Sequence, residues 1–170
     1  MEAVTVDAGR HDPEVVLAEV ERGRSALRDA VANALRPYGR LAATTAEVCN
    51  CADQVWGIEI TPVATNAAPA YVVHPDEGDE VIVGFGNTDV VLWNEDVDAL
   101  AEQVRGLLDA VFAGRVVEVG TPARSRAKLT LAHGAVWNVG AVQFGLPWRR
   151  RQRRTYQPYT APTQPRPSTE

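Results

Sequence analysis

The sequence predicts an α+β fold, a mainly antiparallel, curved sheet with two amphipathic helices packed on one face. Three observations lead there. Two stretches repeat apolar side chains at helical spacing, short β-rich runs separated by turn residues lie between and after them, and the runs are grouped instead of alternating one-for-one with helices. A chain of 170 residues, 45% hydrophobic and 23% charged, is sized for one domain.

The first helix is expected over residues 12–36. Asp12 can accept bonds from the first free amides, Pro13 suits the first helical position and Glu14 complements the helix dipole. Val16, Val20, Leu27, Val31 and Leu35 then fall on one stripe, and Pro37 follows as a stop. Residues 38–53 are mixed and small, with a helical turn expected around Ala46. Val55–Val63, Ala70–His74, Glu80–Phe85 and Val90–Trp93 read as four strands of a meander, the second and third joined by the turn Pro75-Asp76-Glu77-Gly78-Asp79. Asn94 is the expected cap of a second helix whose stripe is Val97, Leu100, Ala101, Val104, Leu107, Leu108 and Val111, with Gly114 at its end. Short strands are expected at 116–119, 128–132 and 135–139. Gly57, Gly84 and Gly86 allow the sheet to curl, even towards a barrel.

This divides the chain into a loose arm (residues 1–11), one α+β domain (12–147) and a flexible Arg/Pro-rich tail (148–170). Charge follows the same division. Residues 1–147 hold 11 Lys and Arg against 21 Asp and Glu, whereas residues 148–170 hold six Arg against one Glu. The net charge of −5 therefore averages an acidic body and a basic tail. No apolar run approaches the length of a membrane-spanning helix, and the N-terminal residues lack the basic lead and apolar block of a secretory signal. Two cysteines cannot form a disulfide scaffold. The expected location is the cytoplasm.

No catalytic or cofactor motif emerges. Cys49-Asn50-Cys51 offers two thiolates that His74 or His133 could complete as a soft-metal site, but its spacing is not that of a zinc module, and two small residues in a loop or strand edge is the favoured account. Ser25 and Ser125 lack the surroundings of a nucleophile elbow. Gly84-Phe85-Gly86 has Asp89 where a dinucleotide fingerprint needs its third glycine, and a strand follows where a helix should start. Neither a metal nor an organic cofactor is expected.

Two charged segments stand out instead. Asp76, Glu77, Asp79 and Glu80 form an acidic hairpin tip suited to a basic protein, although a solvated turn explains the same charges. Trp148, Arg149, Arg150, Arg151, Arg153, Arg154 and Tyr156 form a cationic, aromatic-flanked run able to bind phosphates, bases or an anionic surface. The expected function is a non-enzymatic protein-interaction module with a protein partner, of the immunity- or chaperone-like accessory kind. The alternatives are a nucleic-acid accessory protein using the arginine cluster, and a small-molecule or metal enzyme using Cys49 and Cys51.

Overall fold

The computed structural model describes residues 13–50, 55–75, 80–121, 124–140 and 152–160. Helix α1 spans Pro13–Leu35 and continues into a 3-10 turn, Arg36–Tyr38, where Pro37 removes a donor and prevents further α-helix. Asp12 lies outside the described residues, so its capping role does too. Five strands follow in a meander: β1 (Ala43–Asn50), β2 (Val55–Pro62), β3 (Ala70–Pro75), β4 (Glu80–Phe85) and β5 (Thr88–Trp93). Each pairs antiparallel with the next, in the order β1-β2-β3-β4-β5. Helix α2 (Val97–Phe112) leads to β6 (Val116–Thr121), β7 (Arg124–Thr130), β8 (Val136–Val139) and β9 (Gln152–Thr155). These make a second antiparallel sheet in the order β8-β7-β6-β9.

The α+β class and its antiparallel strands are thus present, but as two open sheets of five and four strands, and neither closes into a barrel. Trp56, Ile58 and Ile60 of β2, Val72 of β3, Val81 and Val83 of β4 and Leu92 of β5 alternate onto one buried face of the first sheet. The helices contribute Leu27, Ala30, Val31 and Ala34 from α1, and Leu100, Val104, Leu107, Leu108 and Val111 from α2. Helix α2 also packs against β7, so one helix serves both sheets. Its cap is Asp96, whose carboxylate accepts from the amides of Asp98 at 2.9 Å and Ala99 at 3.3 Å. Asn94, the expected cap, instead accepts from the amide of Asp96 at 2.9 Å and fixes the approach to the helix.

Strand β1 corrects the expected helical turn at Ala46. It pairs with β2 over its whole length, Ala43 opposite Pro62 and Asn50 opposite Val55. Being an edge strand, it buries little, and its residues lack the apolar alternation that marks a strand in sequence. An ion pair ties it to α1. The guanidinium of Arg28 donates to both carboxylate oxygens of Glu47, at 2.9 and 3.1 Å, and to Glu21 at 2.8 Å. The indole nitrogen of Trp56 donates to Glu47 at 3.1 Å, and the Arg28 guanidinium lies 5.2 Å from the centre of the Trp56 ring. These bonds lower the Glu47 pKa, chiefly through Arg28.

The expected flexible tail from residue 148 does not hold over residues 152–160. Strand β9 pairs with β6, Val117 opposite Thr155 and Gly120 opposite Gln152. Beyond it the amide of Gln157 donates to the Asn66 carbonyl at 3.0 Å, and that of Tyr159 to the Phe112 carbonyl at 2.7 Å. Tyr159 is 1% exposed, its hydroxyl donates to the Ala68 carbonyl at 2.6 Å, and its ring centre lies 4.4 Å from that of Phe112. Gly114, at φ +67°, lets this segment cross the end of α2, because a Cβ there would stand 2.8 Å from the backbone of Tyr156 and Pro158. One buried aromatic thus orders a segment whose average composition reads as unfolded. Residues 141–151 and 161–170, and the arm at 1–11, lie outside the described residues.

The segment's place in the core is measurable. Tyr159→Ala is expected to cost about 3–5 kcal/mol in urea unfolding. Leu107→Asp, which buries an unpaired carboxylate, should cost roughly 3 kcal/mol or more. Unchanged midpoints in either variant would place that side chain outside the core.

Candidate functional site

The two expected charged segments are only partly visible. Glu80 begins β4, while Asp76, Glu77 and Asp79 lie outside the described residues, as do Trp148, Arg149, Arg150 and Arg151. The remainder of the arginine run is divided by the pleat of β9. Arg154 stands opposite Glu118 and Arg153 opposite Val119, so their side chains leave on opposite faces of the sheet. Tyr156 points into the seam between the sheets and donates to Glu118 at 2.6 Å. These three residues do not make one cationic platform.

Cys49 is exposed and stands one strand away from Trp56, which in turn faces His74. His74 is buried with its imidazole against Gly23 of α1, and His133 is exposed in the turn before β8. Cys51 lies outside the described residues. Among the described residues no group of three His, Cys, Asp or Glu could hold a metal ion. No helix among them is long and apolar enough to cross a membrane.

Two arrangements have functional geometry. The first is a polar cluster at the seam. Glu118 of β6 is 2% exposed, and its carboxylate accepts from the Asn87 amide at 2.9 Å, the Thr88 hydroxyl at 2.6 Å and the Tyr156 hydroxyl at 2.6 Å. The Asn87 side-chain amide adds a longer bond at 3.3 Å. Ser125 of β7 stands 2.7 Å from the Thr88 hydroxyl and donates to the Asn87 carbonyl. Burial raises the Glu118 pKa, but the bonds from Thr88, Tyr156 and Asn87 outweigh it, and the net shift is downward. Burial and then the adjacent carboxylate push the Tyr156 phenol up to about 12. A carboxylate this fully supplied with donors is held as an anion and has little basicity left for proton abstraction; it fastens the β4–β5 turn and the C-terminal segment to β6. Beside it opens a cleft of about 430 Å³, with Arg154, Asn66, Asn87 and Gln157 on its walls.

The second arrangement is the face of the five-stranded sheet turned away from the helices. Register places Glu59, Tyr71, Gly84 and Asp89 in one row across β2 to β5, and Val48, Gly57, Val73, Ile82 and Val91 in the next. Trp93 stands opposite Glu80 at the far end of the same face. Trp93 is 64% exposed, Val91 58%, Val48 46% and Tyr71 40%. The Tyr71 ring lies flat over Gly84, where a Cβ would fall within 2.6 Å of three ring atoms. The acidic groups on this face are Glu59, Glu80 and Asp89, and none of its described positions holds Lys or Arg.

No family model, curated protein or solved structure matches the chain. The exposed apolar face was not singled out in the sequence, although a signal for it exists. Val90-Val91-Leu92-Trp93 and Val81-Ile82-Val83 are apolar on both faces of their strands, whereas two helices can cover only one. Glu118 gave a weaker signal, a lone acid among valines at an inward position.

The seam predicts a pH dependence. The folded pKa of Glu118 is lowered, so its stabilisation is complete above the ordinary carboxylate range and is lost as pH falls through and below it. Glu118→Gln should cost about 1–3 kcal/mol at pH 7. The gap between wild type and variant should narrow towards pH 3, and a pH-independent gap in melting curves would show that the charge is not what stabilises the seam.

Proposed function

We propose that this chain is a protein-interaction module that docks a partner protein on the outer face of its five-stranded sheet. The observation that carries this is the exposed apolar surface formed by Val48, Tyr71, Val91 and Trp93 on a sheet face that neither described helix covers. Such a surface gains by leaving water. Burying Val91 or Trp93 on docking contributes roughly 1.5–3 kcal/mol apiece, and a rigid sheet loses little conformational freedom when it is covered.

The chemistry of the partner follows from the surrounding charge. Glu59, Glu80 and Asp89 border the apolar residues, and among the described residues no cation on that face neutralises them. The complementary surface has apolar side chains at its centre and Lys or Arg around them. Of the acidic residues expected to meet a basic partner, Glu80 stands opposite Trp93 on this face, which also carries Glu59 and Asp89. Tyr71 is the designed anchor of the surface, since Gly84 leaves room for its ring to lie against the sheet.

The test compares two forms of the tagged full chain in the organism that encodes it. Wild type should retain a partner, whether another protein or an untagged copy of itself, at close to 1:1. The variant Val91→Ser/Trp93→Ala should retain it at least tenfold less, with an unchanged melting temperature. Equal retention by both forms would overturn the proposal.

A further inference from the structure

The face of the four-stranded sheet turned away from the core has the opposite character. Register places Arg126, Val119 and Arg153 in one row across β7, β6 and β9, with Lys128, Val117 and Thr155 in the next. Val136 and Asn138 of β8 continue it. Arg126, Lys128 and Arg153 are exposed, as are Val119 at 39% and Val136 at 44%. None of the described positions on this face holds Asp or Glu. Strands stand about 4.8 Å apart, so Arg126 and Arg153 flank Val119 at roughly 10 Å from each other.

These cations share with Arg36, Arg40 and Arg154 the lack of an ion pair among the described residues, but they alone are gathered on one sheet face. Arg22, Arg28, Arg105 and Arg115 are each paired with a carboxylate, those of Asp98, Glu47, Glu102 and Asp109 in turn. Among the described residues, Arg126, Lys128 and Arg153 have no ion pair, and neither do Glu59, Glu80 and Asp89 on the other sheet. Three unpaired cations surround exposed valines on one sheet, and three unpaired carboxylates surround exposed aromatic and aliphatic side chains on the other.

From this complementarity we infer that the chain associates with itself head to tail, the outer face of the four-stranded sheet in one copy covering the outer face of the five-stranded sheet in the next. The inference rests on the reading of the five-stranded face as a docking surface and names its occupant. Symmetric pairing is disfavoured on both sides, because either face against its own copy would oppose like charges across the contact. Opposite faces bring Arg and Lys onto Glu and Asp while Val119 and Val136 meet Tyr71, Val91 and Trp93, in the aligned packing that twisted sheets adopt. A contact between two different surfaces leaves one of each free at the ends, so it either closes into a ring or extends as a chain.

Sedimentation and light scattering on the full chain test this. Wild type should exceed the 18.4 kDa monomer mass in a concentration-dependent way, and raising the salt should shift it back towards monomer. Val91→Ser/Trp93→Ala removes one face and Arg126→Gln/Arg153→Gln the other, so each variant alone should run as a monomer. An equal mixture should form a 1:1 dimer and nothing larger, because each variant retains the face that the other lacks. Circular dichroism melts coinciding with wild type confirm that both variants are folded. A wild type that stays monomeric at all concentrations, an assembly that persists in the arginine variant, or a mixture that remains monomeric would overturn head-to-tail association. If wild type is monomeric yet loses a different stoichiometric partner on Val91→Ser/Trp93→Ala, the docking face stands and only its assignment to a second copy fails.

Discussion

A carboxylate removed from water is tolerated only where donors replace its hydration, and Glu118 draws its donors from separate pieces of the chain. Asn87 comes from the turn between β4 and β5 and Thr88 from the start of β5 in the first sheet, and Tyr156 from the segment after β9 in the second. If the sheets part, or the C-terminal segment leaves, the charge stays partly buried with bonds missing, and an unsatisfied buried ion costs several kcal/mol. The seam therefore forms as a unit. Tyr159 reinforces it from the apolar side by joining the end of α2 to the loop that carries Ala68. With the sheets fixed to each other, each is left with one face inward and one face outward.

That division determines what the sequence reveals. The helical stripes were legible because solvent on one side and core on the other impose a period of 3.6, and Leu100, Val104, Leu107, Leu108 and Val111 follow it closely. The strands β2 to β5 were legible from β-branched runs between turn residues. Strand β1 was not, since at a sheet edge Thr44, Thr45 and Glu47 face solvent or a single ion pair and nothing forces an alternating pattern. Strand β9 was hidden for a related reason. Its four residues are all exposed, and its order comes from backbone pairing with β6 and from Tyr159 four residues beyond its end. Window composition sees arginines and prolines there, and a single anchor does not change the average.

The site was less legible than the fold because it depends on register. Val119 and Arg126 belong to consecutive strands, but Arg153 belongs to a strand much later in the chain, and only hydrogen-bonded pairing places the three in one row. The same holds for Glu59, Tyr71 and Asp89. What the sequence did show is that the net charge of −5 is an average over unlike parts. Of the basic part, the described residues place Arg153 on the outer face of the four-stranded sheet and Arg154 on the seam side of the same strand.

A place on a strand changes the kind of recognition that a charge such as Arg153 can perform. Arginines on a mobile extension keep many conformations, bind any polyanion within reach and lose ordering entropy when they do so. Arginines on a strand of a hydrogen-bonded ladder have fixed origins and directions, so they favour a surface whose carboxylates match their spacing over one that is merely negative. Salt screens both cases at distances beyond about 8 Å, but only the fixed array combines its charges with adjacent apolar contact from Val119 and Val136. An exposed valine between two cations is poorly suited to a hydrated phosphate backbone and well suited to a protein face with its own apolar residues among acids. The chemistry of the four-stranded sheet thus suits an acidic, partly apolar surface better than a polyanion, which is why the proposed counterpart is the outer face of the five-stranded sheet.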